Sequence, residues 1–375
     1  MNVRFLLKDR LEGIGWFSFE TLKRIVLAHP EISFHFLFDR PYDPSFIFAS
    51  NVKPIVLAPQ ARHPILWHIW FQYSVRKYIQ KVQPDLFISP DGFMSLGLKI
   101  PTLLVIHDIA FEHEPTHVGW LTGKYYRHYS KQFALAADSI VTVSEFSKQD
   151  IIKLYGIESS KISVVYNGVN DLFQPIQIKE QEEVRKKYTS SNAYFLYTGS
   201  IHPRKNLHNI LRAFEIFKTK NNNSVKLLIV GRKAWQYGEV TKVYQSMKFR
   251  ESVIFTGHII PEELSKIMGA AIALVYTSFF EGFGIPIIEA MQSGTPVITS
   301  NISVMPETAG TAAVFVNPYE PQSIANAMER IHTDEQLRDK MIQLGLEHVK
   351  KYSWQKTSDA LWAAVIPLLE SCKQA

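Results

Sequence analysis

AIALVYTSFFEGFGIPIIEAMQSGTPVITS, residues 271–300, decides the architecture. Residues 272–276 are continuously apolar, as a buried strand requires, and 277–284 form a loop containing Gly282 and Gly284. An apolar helix is predicted over 285–293, a turn at Gly294 and Thr295, and a second strand over 297–299. Strand, helix and strand in this spacing make a βαβ unit of a parallel sheet. The two loop glycines let the backbone approach a ligand, and Pro286 suits a first helical turn, where its missing N–H is not needed. Loop N–H groups and the positive end of the helix dipole therefore meet at one place, an arrangement suited to phosphate.

Two carboxylates bracket that place, Glu281 in the loop and Glu289 in the helix. The helical neighbours of Glu289, namely Ile285, Ile287, Ile288, Ala290 and Met291, are apolar, so a charge among them needs a partner. It lies about one turn into the helix, roughly 4 to 6 Å beyond the loop. Acids so spaced could hold the hydroxyls of a sugar nucleotide whose phosphates sit at the helix start. The structural alternative makes Glu281 a loop acid favoured by the dipole and Glu289 a surface residue.

Outward from this unit, the 375 residues are 46% hydrophobic, enough for two domains with sizeable cores. A net charge of +6 favours anionic ligands, but no dense Lys/Arg block interleaved with aromatics predicts nucleic acid binding. The single cysteine, Cys372, excludes an intrachain disulfide framework or a cysteine metal cluster and fits a reducing, cytoplasmic location. MNVRFLLKDR is too short in its apolar part for a signal peptide and reads as a first strand, and no apolar run approaches 18 residues.

The first half alternates strands predicted at 3–7, 34–38, 86–89, 102–106, 139–143 and 162–166 with helices at 16–28, 65–81, 119–137 and 145–155. Such alternation predicts a parallel sheet with helices on both faces and ligands at the carboxyl ends of the strands. Gly13 and Gly15 follow the first strand, either as a phosphate or sugar contact or as a purely structural turn. His107 and Asp108 end the strand TLLVI, where a histidine can donate to a sugar hydroxyl or help place an acceptor. His113 and His117 are weaker acceptor candidates in the next loop, and Ser144 reads as a helix N-cap for Ser147. In the second half, a strand at 194–198 closes in Gly199 and Ser200, and Arg204 and Lys205 stand just before a helix beginning near Leu207. Adjacent cations there form either a solvated face or a diphosphate site. Further strands are predicted at 226–230 and 253–256, and the helix over 354–370 has an apolar stripe of Trp354, Leu361, Trp362, Val365 and Leu368.

The motif FFEGFGIPIIEAMQSGTPVI, with seven residues between Glu281 and Glu289, closely resembles the signature of the large retaining glycosyltransferase family of GT-B fold, group 1, in its family 4-like branch. The likeness covers nearly the whole chain and is strongest over 197–298. It implies an α/β architecture of two Rossmann-like domains facing across a cleft, with the last helix crossing back to the first domain. The expected domains are 1–172 with 354–375, on the acceptor side, and 173–353, binding the nucleotide sugar. Residue by residue, the resemblance puts Glu281 beside the donor's sugar and phosphate and Glu289 on the ribose. TGS followed by RKN matches the diphosphate element and implicates Gly199, Ser200, Arg204 and Lys205. Gly282, Phe283, Gly284 and Ile285 form the donor loop, and FTGHIIPEEL resembles the base-binding turn, with main-chain groups of His258 and Ile259. Gly15 is expected to face the donor across the cleft, and His107, within VIHDIAFEHEP, to contact the transferred sugar. His202 departs from the acidic or small residues common at its position, and no role is assigned to it.

The reaction implied is transfer of a hexosyl group from a nucleotide sugar to a hydroxyl of a glycan or lipid-linked acceptor. His107, Glu281, Arg204 and Lys205 are the expected catalytic residues. The layout leans towards mannose from GDP-mannose. No Asp-x-Asp triplet is present, and Arg204, Lys205 and loop N–H groups can neutralise the leaving diphosphate, so neither a metal nor a cofactor beyond the donor is expected. Retention requires a carboxylate nucleophile or same-face attack, and the family is generally assigned the latter. ILWHIWFQYSVRKYIQK combines Trp67, Trp70, Phe71 and Tyr73 with Arg76, Lys77 and Lys81, which reads either as a face for peripheral contact with the inner membrane surface or as a core helix with a basic end. A nucleotide-sugar epimerase, a phosphorylase and a non-catalytic sugar-nucleotide binding subunit are the rival functions.

Overall fold

The computed structural model describes residues 1–8, 11–221, 223–232 and 238–374. Contacts divide the chain into two compact units, Met1–Gly168 with Ser353–Ala375, and Val169–Tyr352. The sequence boundaries were set after 172 and 353; the contacts set them after Gly168 and Tyr352.

Among the described residues, the first unit contains β1 (Phe34–Phe38), β2 (Val52–Val56), β3 (Phe87–Ser89), β4 (Thr102–Ile106), β5 (Ser139–Thr142) and β6 (Ile162–Val164). β1 and β2 form one parallel ladder and β3-β4-β5-β6 another. The extended N-terminus joins them: Asn2 N–H donates to Ile88 O at 2.9 Å, and Val3 N–H to Leu37 O at 3.1 Å. The spatial order is therefore β2, β1, N-terminal segment, β3, β4, β5, β6, a doubly wound order that reverses between the N-terminal segment and β3.

Two expectations are corrected here. The strand predicted over 3–7 is reduced to a single bridge between Asn2 and Leu37, because Leu6 N–H turns back to Val3 O at 2.9 Å and Arg4 is drawn into a buried ion pair with Asp91. β2 was not foreseen because it contains Pro54; it lies at the sheet edge, where a missing N–H breaks no ladder. The predicted 65–81 helix is present as Pro64–Ile69, a π-helical stretch Trp70–Val75, and Arg76–Val82. Trp70 and Phe71 are fully buried and Trp67 and Tyr78 are packed against the same core, so packing accounts for four of its five large aromatics, with Tyr73 alone of them exposed. No helix among the described residues is long and apolar enough to cross a membrane. The last helix, Trp354–Gln374, belongs to this unit: Leu361 and Val365 are buried, and the Trp362 ring stacks on His29 with centroids 4.0 Å apart.

The second unit holds β7 (Tyr194–Thr198), β8 (Lys226–Val230), β9 (Val253–Gly257), β10 (Ala273–Tyr276), β11 (Val297–Ser300) and β12 (Val314–Val316) in the parallel order β12-β11-β10-β7-β8-β9. All five residues of β7 are buried, as a central strand covered on both faces requires. The order reverses between β7 and β10, so the loops leaving these two strands diverge and open a crevice at their carboxyl ends.

Candidate diphosphate and sugar site

Both loops at the reversal of the second unit carry the predicted charges. After β7 the chain makes a 3-10 turn, Pro203–Lys205, and after β10 the loop reaches Glu281 and enters the helix Ile285–Gln292. Gly284, at φ +89°, takes the left-handed backbone that starts this helix, a conformation in which a side chain would be strained. Glu281 Oε2 accepts from Arg204 Nη1 at 2.6 Å, and Oε1 lies 2.5 Å from Lys205 Nζ. Arg204 Nη1 also donates to Phe280 O at 2.9 Å. Burial raises the Glu281 carboxyl, but the charges of Arg204 and Lys205 outweigh it and hold the group at about 2. The structure thus brings the three predicted residues together, and Glu281 is the counter-ion of both cations.

Glu289 differs sharply. Its side chain makes no hydrogen bond or ion pair among the described residues, and burial pushes its carboxyl up to about 8. A carboxyl held in that state is suited to the hydroxyls of an incoming ligand. Gly199 and Ser200 sit at the end of β7, and His258 and Ile259 follow β9, so these predicted contacts lie on the carboxyl edge of the same sheet. Gly282 and Phe283 are buried in the loop, and Ile285 opens the helix.

Sequence reasoning missed three supports. His202, left without a role, caps the cationic turn, its Nδ1 accepting from Arg204 N–H at 3.3 Å. Asn206, fully buried, donates through Nδ2 to Thr277 O at 2.9 Å and Pro318 O at 2.7 Å and so ties the turn to the end of β10. Tyr276, the last residue of β10, donates to Glu281 Oε1 at 2.9 Å and accepts from Lys205 Nζ at 2.7 Å. The first could have been suspected from its place before an adjacent Pro-Arg; the other two depend on tertiary pairing.

In the first unit, His107 stands where expected, at the end of β4. Its Nε2 lies 2.9 Å from Pro90 O, and because a carbonyl can only accept, Nε2 carries the proton. Burial lowers its basicity, and with the proton on Nε2 the ring presents Nδ1 as an acceptor. Gly15 lies inside the helix Gly13–Ala28, where an added Cβ would meet Phe5 O at 2.9 Å, so close packing explains the glycine. His113 pairs with Asp150 at 2.8 Å, and Ser144 caps its helix by accepting from Ser147 N–H at 3.0 Å, as predicted.

Comparison with known proteins agrees with this geometry. Residues 179–348 match the family described as glycosyl transferases group 1, and residues 30–171 match glycosyltransferase family 4. The O-antigen chain mannosyltransferase RfbU of Salmonella typhimurium is 30% identical over 291 residues, covering 78% of this chain and 76% of that one. The O-antigen chain mannosyltransferase B of Escherichia coli is 27% identical over 362 residues, covering 93% and 94%. Among solved structures, a sucrose-phosphate synthase of Thermosynechococcus elongatus superposes with a TM-score of 0.76 at 19% identity, covering 96% and 93% of the two chains. WaaG, a glycosyltransferase involved in lipopolysaccharide biosynthesis, gives 0.73 at 16% identity, covering 94% and 95%. These likenesses show the GT-B fold. Since the first matched family segment spans the strand ends and loops that carry Arg204, Lys205, Glu281 and Glu289, and a relative this similar extends over most of the chain, the protein is a glycosyltransferase of the group 1 family.

Proposed function

We propose that this glycosyltransferase moves a mannosyl group from GDP-mannose to a hydroxyl of a glycan or lipid-linked acceptor, with retention and without a metal ion. The observation that carries the reading is the cluster of the half-buried Arg204 and Lys205 around the buried Glu281 at the strand reversal, with the side chain of Glu289 unpaired in the helix that follows among the described residues. The names of the two O-antigen mannosyltransferase relatives support mannose as the sugar.

In this reading the donor diphosphate lies against Arg204, Lys205 and the N–H groups at the start of the helix Ile285–Gln292, where charge developing on the leaving group is stabilised by groups already in place. The ribose hydroxyls bind Glu289. Glu281 Oε1 accepts from the Tyr276 hydroxyl at 2.9 Å, and a carboxylate held by a hydrogen-bond donor is a poor nucleophile. That supports attack from the face the diphosphate leaves, over a covalent intermediate.

The test is incubation with GDP-mannose, UDP-glucose, UDP-N-acetylglucosamine or ADP-glucose and an O-antigen-type glycan acceptor, with and without EDTA. Acceptor-dependent release of GDP, unchanged by EDTA, with an α-linked product by NMR, is expected. Conversion of donor without acceptor, or a requirement for inorganic phosphate, would favour the epimerase or phosphorylase instead.

A further inference from the structure

Tyr276 closes a triangle that the donor reading leaves unused. Its side chain is 1% exposed, and its hydroxyl is shared between Glu281 Oε1 at 2.9 Å and Lys205 Nζ at 2.7 Å. Lys205 Nζ also lies 5.0 Å from the centroid of the Tyr276 ring, so the ammonium rests against the phenol as well as the carboxylate. In this arrangement the two cations share one carboxylate of the protein. A diphosphate that takes their charge draws them away from Glu281, whose side chain is 7% exposed, and a buried carboxylate stripped of its donors is costly.

We propose that Tyr276 is a positioning residue for glycosyl transfer: its hydroxyl keeps hold of Glu281 while Lys205 and Arg204 turn their charge to the donor diphosphate. The inference rests on the donor reading above. An ammonium has three N–H donors, so Lys205 can keep one on the phenol oxygen while another leaves the carboxylate for phosphate. The phenol O–H donates to Glu281 Oε1 throughout, and the carboxylate is never bare. Burial, together with the charge of Glu281, pushes the Tyr276 phenol well above its ordinary value, so it remains a donor at every working pH. Phenylalanine would fill the same space at the end of β10; only the hydroxyl performs the exchange.

The experiment is a double-mutant cycle on the full chain with Tyr276→Phe and Lys205→Met, reading affinity for GDP, UDP and ADP by calorimetry and folding by thermal denaturation. Tyr276→Phe should weaken binding of the preferred diphosphate about tenfold, the effect of one hydrogen bond to a charged group, while the protein stays folded. In the Lys205→Met background the same change should have almost no further effect, because the hydroxyl acts through the ammonium it steadies. Losses that add across the two backgrounds, or a Tyr276→Phe protein that binds as the wild type does, overturn the role of Tyr276 and leave the donor reading intact. A folded wild-type protein that binds none of the three diphosphates overturns both.

Discussion

An arginine and a carboxylate stand at the strand reversal of each unit, and the two pairs have opposite surroundings. In the first unit Arg4 follows the N-terminal segment and Asp91 follows β3, with side chains 5% and 1% exposed. The rings of Phe93 and Phe5 lie 4.4 and 4.8 Å from the guanidinium carbon, and Phe71 and Trp67 complete the enclosure at 5.4 and 5.7 Å. In the second unit Arg204 follows β7 and Glu281 follows β10, and Arg204 keeps 26% of its side chain exposed. Lys205 adds a second cation against the single carboxylate, so this cluster keeps a net positive charge where the first cancels. Doubly wound topology supplies a crevice at each reversal, and the side chains determine whether it is sealed or left for an anion.

The largest expected effects separate the two sites by what they damage. Lys205→Met should weaken nucleoside diphosphate binding by about a hundredfold, as loss of a charge-assisted contact to phosphate allows. Arg4→Met should leave that affinity unchanged in the folded protein but cost about 3 to 5 kcal/mol of stability, because Asp91 is left buried and unpaired. Calorimetry and urea denaturation on both variants check the contrast, and an Arg4→Met protein with lowered affinity and normal stability would break it. Next in size, the double variant Arg4→Met with Asp91→Leu should recover most of the lost stability, since four aromatic rings already make the surroundings apolar. If it is no more stable than Arg4→Met alone, the ion pair has a part beyond filling the crevice.

pH sharpens the comparison within the second unit. Glu289 is raised from 4.5 to about 8 on folding, so its contribution to stability is present below pH 4.5 and is lost as pH rises through 8. Glu281 has the opposite sign: lowered from 4.5 to about 2, it stabilises above pH 4.5, and that contribution is lost as pH falls towards 2. Glu289→Gln should therefore raise the melting temperature at pH 8, leave it nearly unchanged at pH 4.5, and weaken nucleotide binding; a melting temperature that falls at pH 8 would contradict the half-buried, unpaired carboxyl. The smallest effect belongs to His202→Ala, which should loosen the cationic turn and reduce diphosphate affinity by about two- to fivefold, with His202→Asn restoring it. Equal affinity in both variants would remove the cap from the account.

The legible and illegible parts of the chain divide along the same physical line. β7 and β10 were readable because continuous apolar runs bounded by glycine or polar residues leave little choice of strand. Arg204, Lys205 and Glu281 were readable from motifs lying just beyond those strands. Tyr276 was not, because a tyrosine ending ALVY reads as core, and its hydroxyl finds Lys205 only when β10 pairs with β7, more than seventy positions back in the chain. Arg4 was hidden in a predicted strand, and its partner Asp91 lies 87 positions away. Pro54 concealed β2 because a proline argues against a strand until the strand is known to be an edge.

The central claim, that the strand reversal of the second unit is a diphosphate seat, is tested most directly by titrating GDP, UDP and ADP and the matching monophosphates into wild-type protein and Lys205→Met. For the base that binds, the diphosphate should bind at least about tenfold more tightly than the monophosphate in the wild type, and this difference should collapse in Lys205→Met. Equal affinity for the two in the wild type, or a difference that survives in Lys205→Met, would contradict it.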